Sequence, residues 1–385
     1  MTFRAFFYSS STLLVAACAP RPSDGQPQAP RSPSPEAIAA PVRVETVASG
    51  LDHPWALAFL PDGRILVTER SGAVRIVDRA GRVSSPLSGV PEVAARGQGG
   101  MLDVALDPRF AENRLVYLSY AEPGERGTAG TAVARGRLGD AGLENLQVIY
   151  RQQPKVAGGN HFGSRLVFGR DGTLFVTQGE RFNYRQQAQD LASDLGKVVR
   201  INTDGSVPRD NPFVNRQGAR PEIWSYGHRN VQAAALHPET AQLWTVEHGA
   251  QGGDELNHPE AGKNYGWPII TYGVDYSGAR IGEGTAKAGM EQPVYFWDPV
   301  IAPSGMTFYT GDAYTGWKGS AFVGSLRGAL VRLEIDNGTV RREERYLGDL
   351  HERIRDVQQG PDGLLYVVTD SDNGRVLKIV PTQAR

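Results

Sequence analysis

His161 stands in the turn Gly158-Gly-Asn-His-Phe-Gly163, where the flanking glycines free the backbone to present a side chain. An imidazole, with an unperturbed pKa of about 6.5, suits proton abstraction near neutral pH. Arg229 and Asn230 sit together in Trp224-Ser-Tyr-Gly-His-Arg-Asn-Val231. A guanidinium there can stabilise negative charge developing in a transition state, through a rigid fork of donors that lysine lacks. Arg353 and Arg355 are two residues apart, which on a strand places both on one face. With Arg327, in Ser325-Leu-Arg-Gly328, they would answer a polyanion, since arginine–carboxylate pairs can be bidentate. The acidic, glycine-rich turn Glu247-His-Gly-Ala-Gln-Gly-Gly-Asp-Glu255 offers carboxylates and free carbonyls of the kind calcium takes in flexible geometry. Each residue also has a plainer role when taken singly. His161 would donate one loop hydrogen bond, Arg229 would cap a strand or pair with a carboxylate, the arginine pair would lie on a solvated strand face, and the acidic turn would hold no metal.

These segments are loops, so the scaffold must be sought between them. A unit of two short apolar strands around a turn recurs at Trp55–Thr68, Leu166–Thr177 and Val357–Thr369, each time with Asp-Gly at the turn. That dipeptide between apolar runs is a strong hairpin signal, because glycine tolerates the positive φ required. Weaker copies appear at Val104–Tyr117 and Ala234–Val246, and Met306–Val323 reads as a sixth. The units are unequally spaced, which favours a propeller with long loops on one face over a solenoid of uniform rungs. Radial repetition also protects strand edges. The expected fold is all-β: a six-bladed propeller of four-stranded antiparallel blades, closed by the first strand, Val42–Val47, joining the last blade. One short helical candidate stands out, Gln186–Leu195.

The ordered set of segments, Gly158–Leu166, Glu222–Pro268 and Arg353–Val357, resembles the soluble quinoprotein sugar dehydrogenases, and the likeness runs along nearly all of the chain after about Pro41. The resemblance implies an enzyme dependent on calcium and pyrroloquinoline quinone (PQQ) that oxidises an aldose at the anomeric carbon to a lactone and passes electrons to an unidentified acceptor. In that family a histidine matching His161 is the general base, and Asn160 stands where the glucose dehydrogenase branch has an aspartate, leaving a neutral neighbour. Arg229 and Asn230 match cofactor contacts, with Arg229 also serving catalysis, and Arg327, Arg353 and Arg355 would meet the PQQ carboxylates. The Gly249 and Ala250 carbonyls match ligands of the ion that holds the quinone, while Glu255 and the Tyr265 carbonyl match a second, structural calcium site. Gln98 and Glu180 are the implied substrate residues, Glu180 replacing a usual aspartate; Trp297 is a candidate for the cleft wall, though a Trp flanking a blade is more often core packing. A sugar-binding or lactonase-like propeller without PQQ is the alternative from another class.

Composition and the chain ends bound the rest. The 385 residues carry 41 Lys+Arg against 42 Asp+Glu, a net charge of −1, and no basic block, which argues against a nucleic-acid partner. Residues 1–18 combine Arg4, a short apolar stretch and small residues before Cys18, the single cysteine. They are read as a lipoprotein-type export signal, too short for a membrane span. Residues 19–41, rich in Pro, Ser and Ala, read as a tether that cannot bury a core, and residues 42–381 as the catalytic propeller. The expected location is the periplasmic side, held to a membrane by a lipid on Cys18.

Overall fold

Asp62-Gly63, Asp171-Gly172 and Asp362-Gly363 turn one strand back on the next, the glycines adopting φ of +82°, +81° and +76°. In the computed structural model, which describes residues 42–382, these are the innermost hairpins of three blades. The leader, tether and Cys18 lie outside the described residues.

The described residues form six antiparallel sheets. Blade 1 comprises Pro54–Phe59, Ile65–Glu69 and Val74–Val77; blade 2 comprises Met101–Leu106, Leu115–Pro123, Ala129–Leu138 and Leu143–Arg151. Blade 3 is built from Gly163–Phe168, Thr173–Gln178, Lys197–Asn202 and Ile223–Tyr226, and blade 4 from Val231–Leu236, Leu243–Glu247, Asp254–Asn257 and Tyr295–Trp297. Blade 5 takes Pro303–Phe308, Ala321–Ser325, Ala329–Asp336 and Thr339–Tyr346. Blade 6 takes Ile354–Gln359, Leu365–Thr369, Gly374–Pro381 and, as its outer strand, Val42–Leu51 from the other end of the chain. Closure by the first strand is therefore as expected. Blade 1 has three full strands, and the place of a fourth is marked by a single bridge between Val77 and Val83.

The first strands of the six blades contact one another in a ring around the axis. Their opening residues are buried on both faces, which explains why they lack the alternation of a half-exposed strand. Apolar clusters fill each space between neighbouring blades: Trp55, Met101 and Leu118 between blades 1 and 2, for instance, and Trp244, Trp297 and Met306 between blades 4 and 5. The axis itself is polar. Arg165 of blade 3 pairs with Asp103 of blade 2 at 2.8 Å and Asp356 of blade 6 at 3.1 Å. It also donates to the Gln232 carbonyl of blade 4 and lies 4.3 Å over the Trp55 ring of blade 1. One buried guanidinium thus ties five blades at the centre.

Candidate active site

The expected loop residues other than Tyr265, which lies between the third and outer strands of blade 4, emerge at one end of the ring, before a first strand or after a second. His161 and Arg229-Asn230 precede the first strands of blades 3 and 4, Gln98 and Arg353 those of blades 2 and 6, while Glu180 and Gly249-Ala250 follow second strands. Pairing of the first two strands splays here, with register shifts in blades 2, 3, 4 and 6, and the loops turn inward.

His161 is buried and adopts φ +54°, a left-handed backbone uncommon for a residue with a side chain. Its N–H donates to Gln98 Oε1 at 2.9 Å, so Gln98 holds the base's backbone. Nδ1 lies 3.1 Å from Glu180 Oε1. The residue that orients the imidazole is therefore Glu180, an acid reached across the blade, and not the neighbour Asn160, whose carbonyl accepts from Arg181. With Nδ1–H donating to Glu180, Nε2 is left as the ring's acceptor. Burial first, then the guanidinium charges of Arg229 and Arg181, push His161 well below its ordinary value, so the ring is neutral at neutral pH. Burial raises Glu180 to about 7 against the opposing pull of Arg229.

Arg229 is fixed through its backbone N–H to Glu247 at 2.6 Å and through its guanidinium to the His248 carbonyl at 3.1 Å and the Tyr276 hydroxyl at 3.3 Å. It lies 5.3 Å from the Trp267 ring centre. Asn230 accepts from the Gly163 N–H. Arg229 Nε, Asn230 Nδ2 and Arg355 Nε are buried without a hydrogen-bond partner, and such groups call for a ligand or water. Arg353 and Arg355 do share a face, since both reach Asp370 Oδ2, at 3.3 and 2.5 Å. Arg353 also reaches the Leu326 carbonyl at 3.4 Å, next to the exposed Arg327. Asp370 thus offsets part of the charge read from the sequence as free; burial would raise it, but Arg355 outweighs this and holds it below the usual carboxylate range. The unpartnered donors beside exposed guanidinium groups fit a flat ligand bearing carbonyls and several carboxylates.

The acidic turn is tight: a Cβ on Gly249 would lie 2.2 Å from the Gly252 carbonyl oxygen. Ala250 lines a cavity of about 290 Å³ together with Glu180, Arg229 and Trp267. Gly249, Glu247, Glu255 and Tyr265 line a small space of about 10 Å³ that shares Arg229 and Trp267 with it, room for roughly one water-sized sphere. Burial and the neighbouring Glu247 push Glu255 well above its ordinary value. No group of three or more His, Cys, Asp or Glu poised for a metal occurs among the described residues. A cation here would rest on carbonyl oxygens completed by Glu255, a donor set that suits calcium.

Trp297 is not a cleft residue. It is fully buried in the outer strand of blade 4, where its indole donates to Glu343 at 2.9 Å and packs edge-on to Tyr295. The expected helix at Gln186–Leu195 is a short 3₁₀ segment, Arg185–Gln189. Sequence reading passed over Arg181, Phe182 and Tyr276. Arg181 is fully buried and clamps the His161 loop by donating to the carbonyls of Ala129, Gly158 and Asn160. Its neighbour Glu180 in Gln178-Gly-Glu-Arg181 was the available signal.

Comparison with known proteins identifies the family and the fold. The family model described as Glucose / Sorbosone dehydrogenase matches residues 51–378. Aldose sugar dehydrogenase YliI of Escherichia coli (strain K12) is 49% identical over 351 residues, covering 90% of this chain and 94% of that protein. The crystal structure of the soluble aldose sugar dehydrogenase from Escherichia coli in its apo form superposes with a TM-score of 0.86 at 48% identity, over 88% of this chain and 99% of that one. The PQQ-bound aldose sugar dehydrogenase of Streptomyces coelicolor gives 0.72 at 29% identity, over 90% and 100%.

Proposed function

The chain belongs to the glucose/sorbosone dehydrogenase family and is a sugar-oxidising oxidoreductase; from that premise we propose that it oxidises aldoses to lactones with PQQ and calcium, His161 acting as the base. The observation that carries the reading is the Glu180–His161 pair set beside the unpartnered donors of Arg229 and Asn230. A PQQ-bound relative supports the choice of cofactor.

Arg229, Asn230 and Arg355 would hold PQQ, with Arg327 and Arg353 meeting its carboxylates at the rim and calcium on the Gly249 and Ala250 carbonyls. When bound, PQQ supplies the oxidising power, taking the hydride that leaves the anomeric carbon. His161 Nε2 takes the proton of the anomeric hydroxyl as the C–H bond breaks and the carbonyl of the lactone forms. Glu180 keeps the imidazole in the tautomer that makes Nε2 basic. Arg229 lowers the energy of negative charge developing beside it, a service that needs no reorganisation because its guanidinium is already pinned. Gln98 fixes the loop on which the base rides. On the same reading Cys18 carries the lipid that holds the enzyme at a membrane.

Titration of the apoprotein with PQQ and calcium tests this. Dye-linked aldose oxidation should appear only with both, and EDTA should release the quinone; equal uptake of PQQ in excess chelator, or no oxidation of any aldose, overturns the reading.

A further inference from the structure

We propose that Arg70 is a further anion-binding residue of the site, joining Arg353 and Arg355 to meet a carboxylate of the bound ligand. The inference rests on the PQQ-dependent reading above and adds to it a contact from blade 1, which supplies none of the site residues named so far.

Arg70 follows the second strand of blade 1, Ile65–Glu69, at the end of the ring where the other site residues emerge. Its backbone is fastened on both sides. The N–H donates to the His53 carbonyl at 3.1 Å, and the carbonyl accepts from the Met101 N–H at 3.2 Å. The stem passes so close to Gly100 that a Cβ there would lie 2.9 Å from Arg70 Cγ. Gly100, at φ +141°, thus leaves the groove in which that stem lies. A half-buried side chain placed in this way has little freedom left to lose on meeting a ligand.

Nothing in the protein explains why the guanidinium is held there. Among the described residues it makes no hydrogen bond and no ion pair. Carboxylates of the adjoining loops are engaged elsewhere. Glu69 accepts from the Asp52 N–H at 2.9 Å and from Arg75 at 2.8 Å. Asp370 gives Oδ1 to the His53 ring at 2.8 Å and Oδ2 to Arg353 and Arg355. Asp372 meets the other ring nitrogen of His53 at 2.7 Å. Arg70 nonetheless stands within electrostatic reach of Arg355. Burial first, then the charges of Arg353 and Arg70, pull Arg355 below the ordinary guanidinium value against the opposing pull of Asp370. Three guanidinium groups therefore gather around one carboxylate whose two oxygens are both in use. Like charges held together destabilise one another unless an anion answers them. Arg355 Nε, beside them, is buried without a partner, and such a donor also calls for a ligand.

A carboxylate is the group that fits this arrangement. It accepts at two oxygens and takes guanidinium forks in a bidentate manner, whereas a neutral hydroxyl would leave the charge unbalanced. Arg70 stands on blade 1 and the other two arginines on blade 6, so an anion between them is held by neighbouring blades.

Spectral titration of the apoprotein with PQQ, in the presence of calcium, reads the dissociation constant without turnover. Arg70→Met should raise that constant about 10-fold, the low end for a charged hydrogen bond at a half-exposed position. Arg70→Lys, which keeps the charge without the fork, should recover part of the loss. The gap between wild type and Arg70→Met should narrow as salt rises from about 20 mM to about 0.5 M, since exposed charges are screened. The trimethyl ester of PQQ, which keeps the ring and its dione but carries no carboxylate, should bind both proteins alike. An unchanged constant for PQQ would overturn the proposal. Equal weakening of acid and ester would overturn it too, by making Arg70 a support of the Gly100 loop. A wild type that takes up neither form would sink the PQQ reading instead. Trimesate, a flat benzene tricarboxylate, then decides the anion site alone: it should raise the melting temperature of the wild type and not of Arg70→Met. Equal shifts in the two proteins, or none, overturn the site.

Discussion

Replacing Glu180 with glutamine should move the acidic limb of the pH–rate profile. Glu180 Oε1 lies 3.1 Å from His161 Nδ1, and burial raises this carboxyl to about 7. Ionised, it accepts Nδ1–H and leaves Nε2 as the base. Protonated, its own O–H donates to Nδ1, the ring proton moves to Nε2, and the base is blocked. His161 does not form an imidazolium in this range, because burial and the charges of Arg229 and Arg181 hold its pKa well below the ordinary value. Activity therefore requires Glu180 deprotonated: kcat/KM should rise with pH up to about 7 and level off above it. Two pH units below the midpoint it should lie roughly 100-fold under the plateau, a factor of ten per unit for one proton. In Glu180→Gln the limb should leave the neighbourhood of 7 for the lower pH at which His161 itself protonates. The plateau should drop at least about tenfold for loss of the orienting partner, towards the ~10⁴-fold of a wrong tautomer at the extreme. Steady-state oxidation from pH 5 to 9 by both proteins, loaded with equal PQQ, provides the comparison. Superimposable profiles would refute the claim that Glu180 sets the tautomer.

His161→Gln should cut kcat by about two to four orders of magnitude, the range of general-base catalysis, with PQQ uptake by absorbance retained. Arg165→Met strands the buried Asp103 and Asp356 on the axis; unfolding by denaturant should show a loss of about 3–5 kcal/mol, whereas a loss under 1 kcal/mol would mean the aspartates find other partners. Cys18→Ser should shift the protein from the membrane to the soluble fraction with specific activity intact, since stable anchoring needs acyl chains; a wild type already soluble would remove the anchor.

The hairpins were legible because Asp-Gly between apolar runs carries its own conformational demand, and three such turns sufficed to count blades from the weaker copies. Blade 1 shows the limit: after Val74–Val77 the chain offers a lone bridging residue, Val83, in place of a fourth strand, and no periodicity marks one residue. Loop residues with chemistry were legible by type, since His161, Arg229 and Arg355 advertise what they can do. Partnership was not. Asp370 lies 15 residues beyond Arg355 yet offsets its charge, and Glu180 lies 19 beyond His161 yet orients it. Trp297 could be read either way, the core being the commoner place for a tryptophan flanking a blade, and its burial and its contact with Glu343 decide for the core. Phe182 and Tyr276 passed unnoticed, since an exposed aromatic leaves no pattern in sequence.

The ring has a seam, and its position governs when the molecule can become whole. Five blades assemble from neighbouring stretches of chain, but in the sixth Val42 pairs with Pro381 and Leu51 with Gly374. The strand that leaves a ribosome or an export channel first must wait for the one that leaves last. Contacts so distant in sequence are slow to form, and until they do, Ala48 and Leu51 lack Val376 and Val368, the residues that bury them. An interrupted chain ending before Gly374 would therefore hold five completed blades and two exposed apolar edges at opposite ends of its length, a ready substrate for chaperones, proteases or self-association.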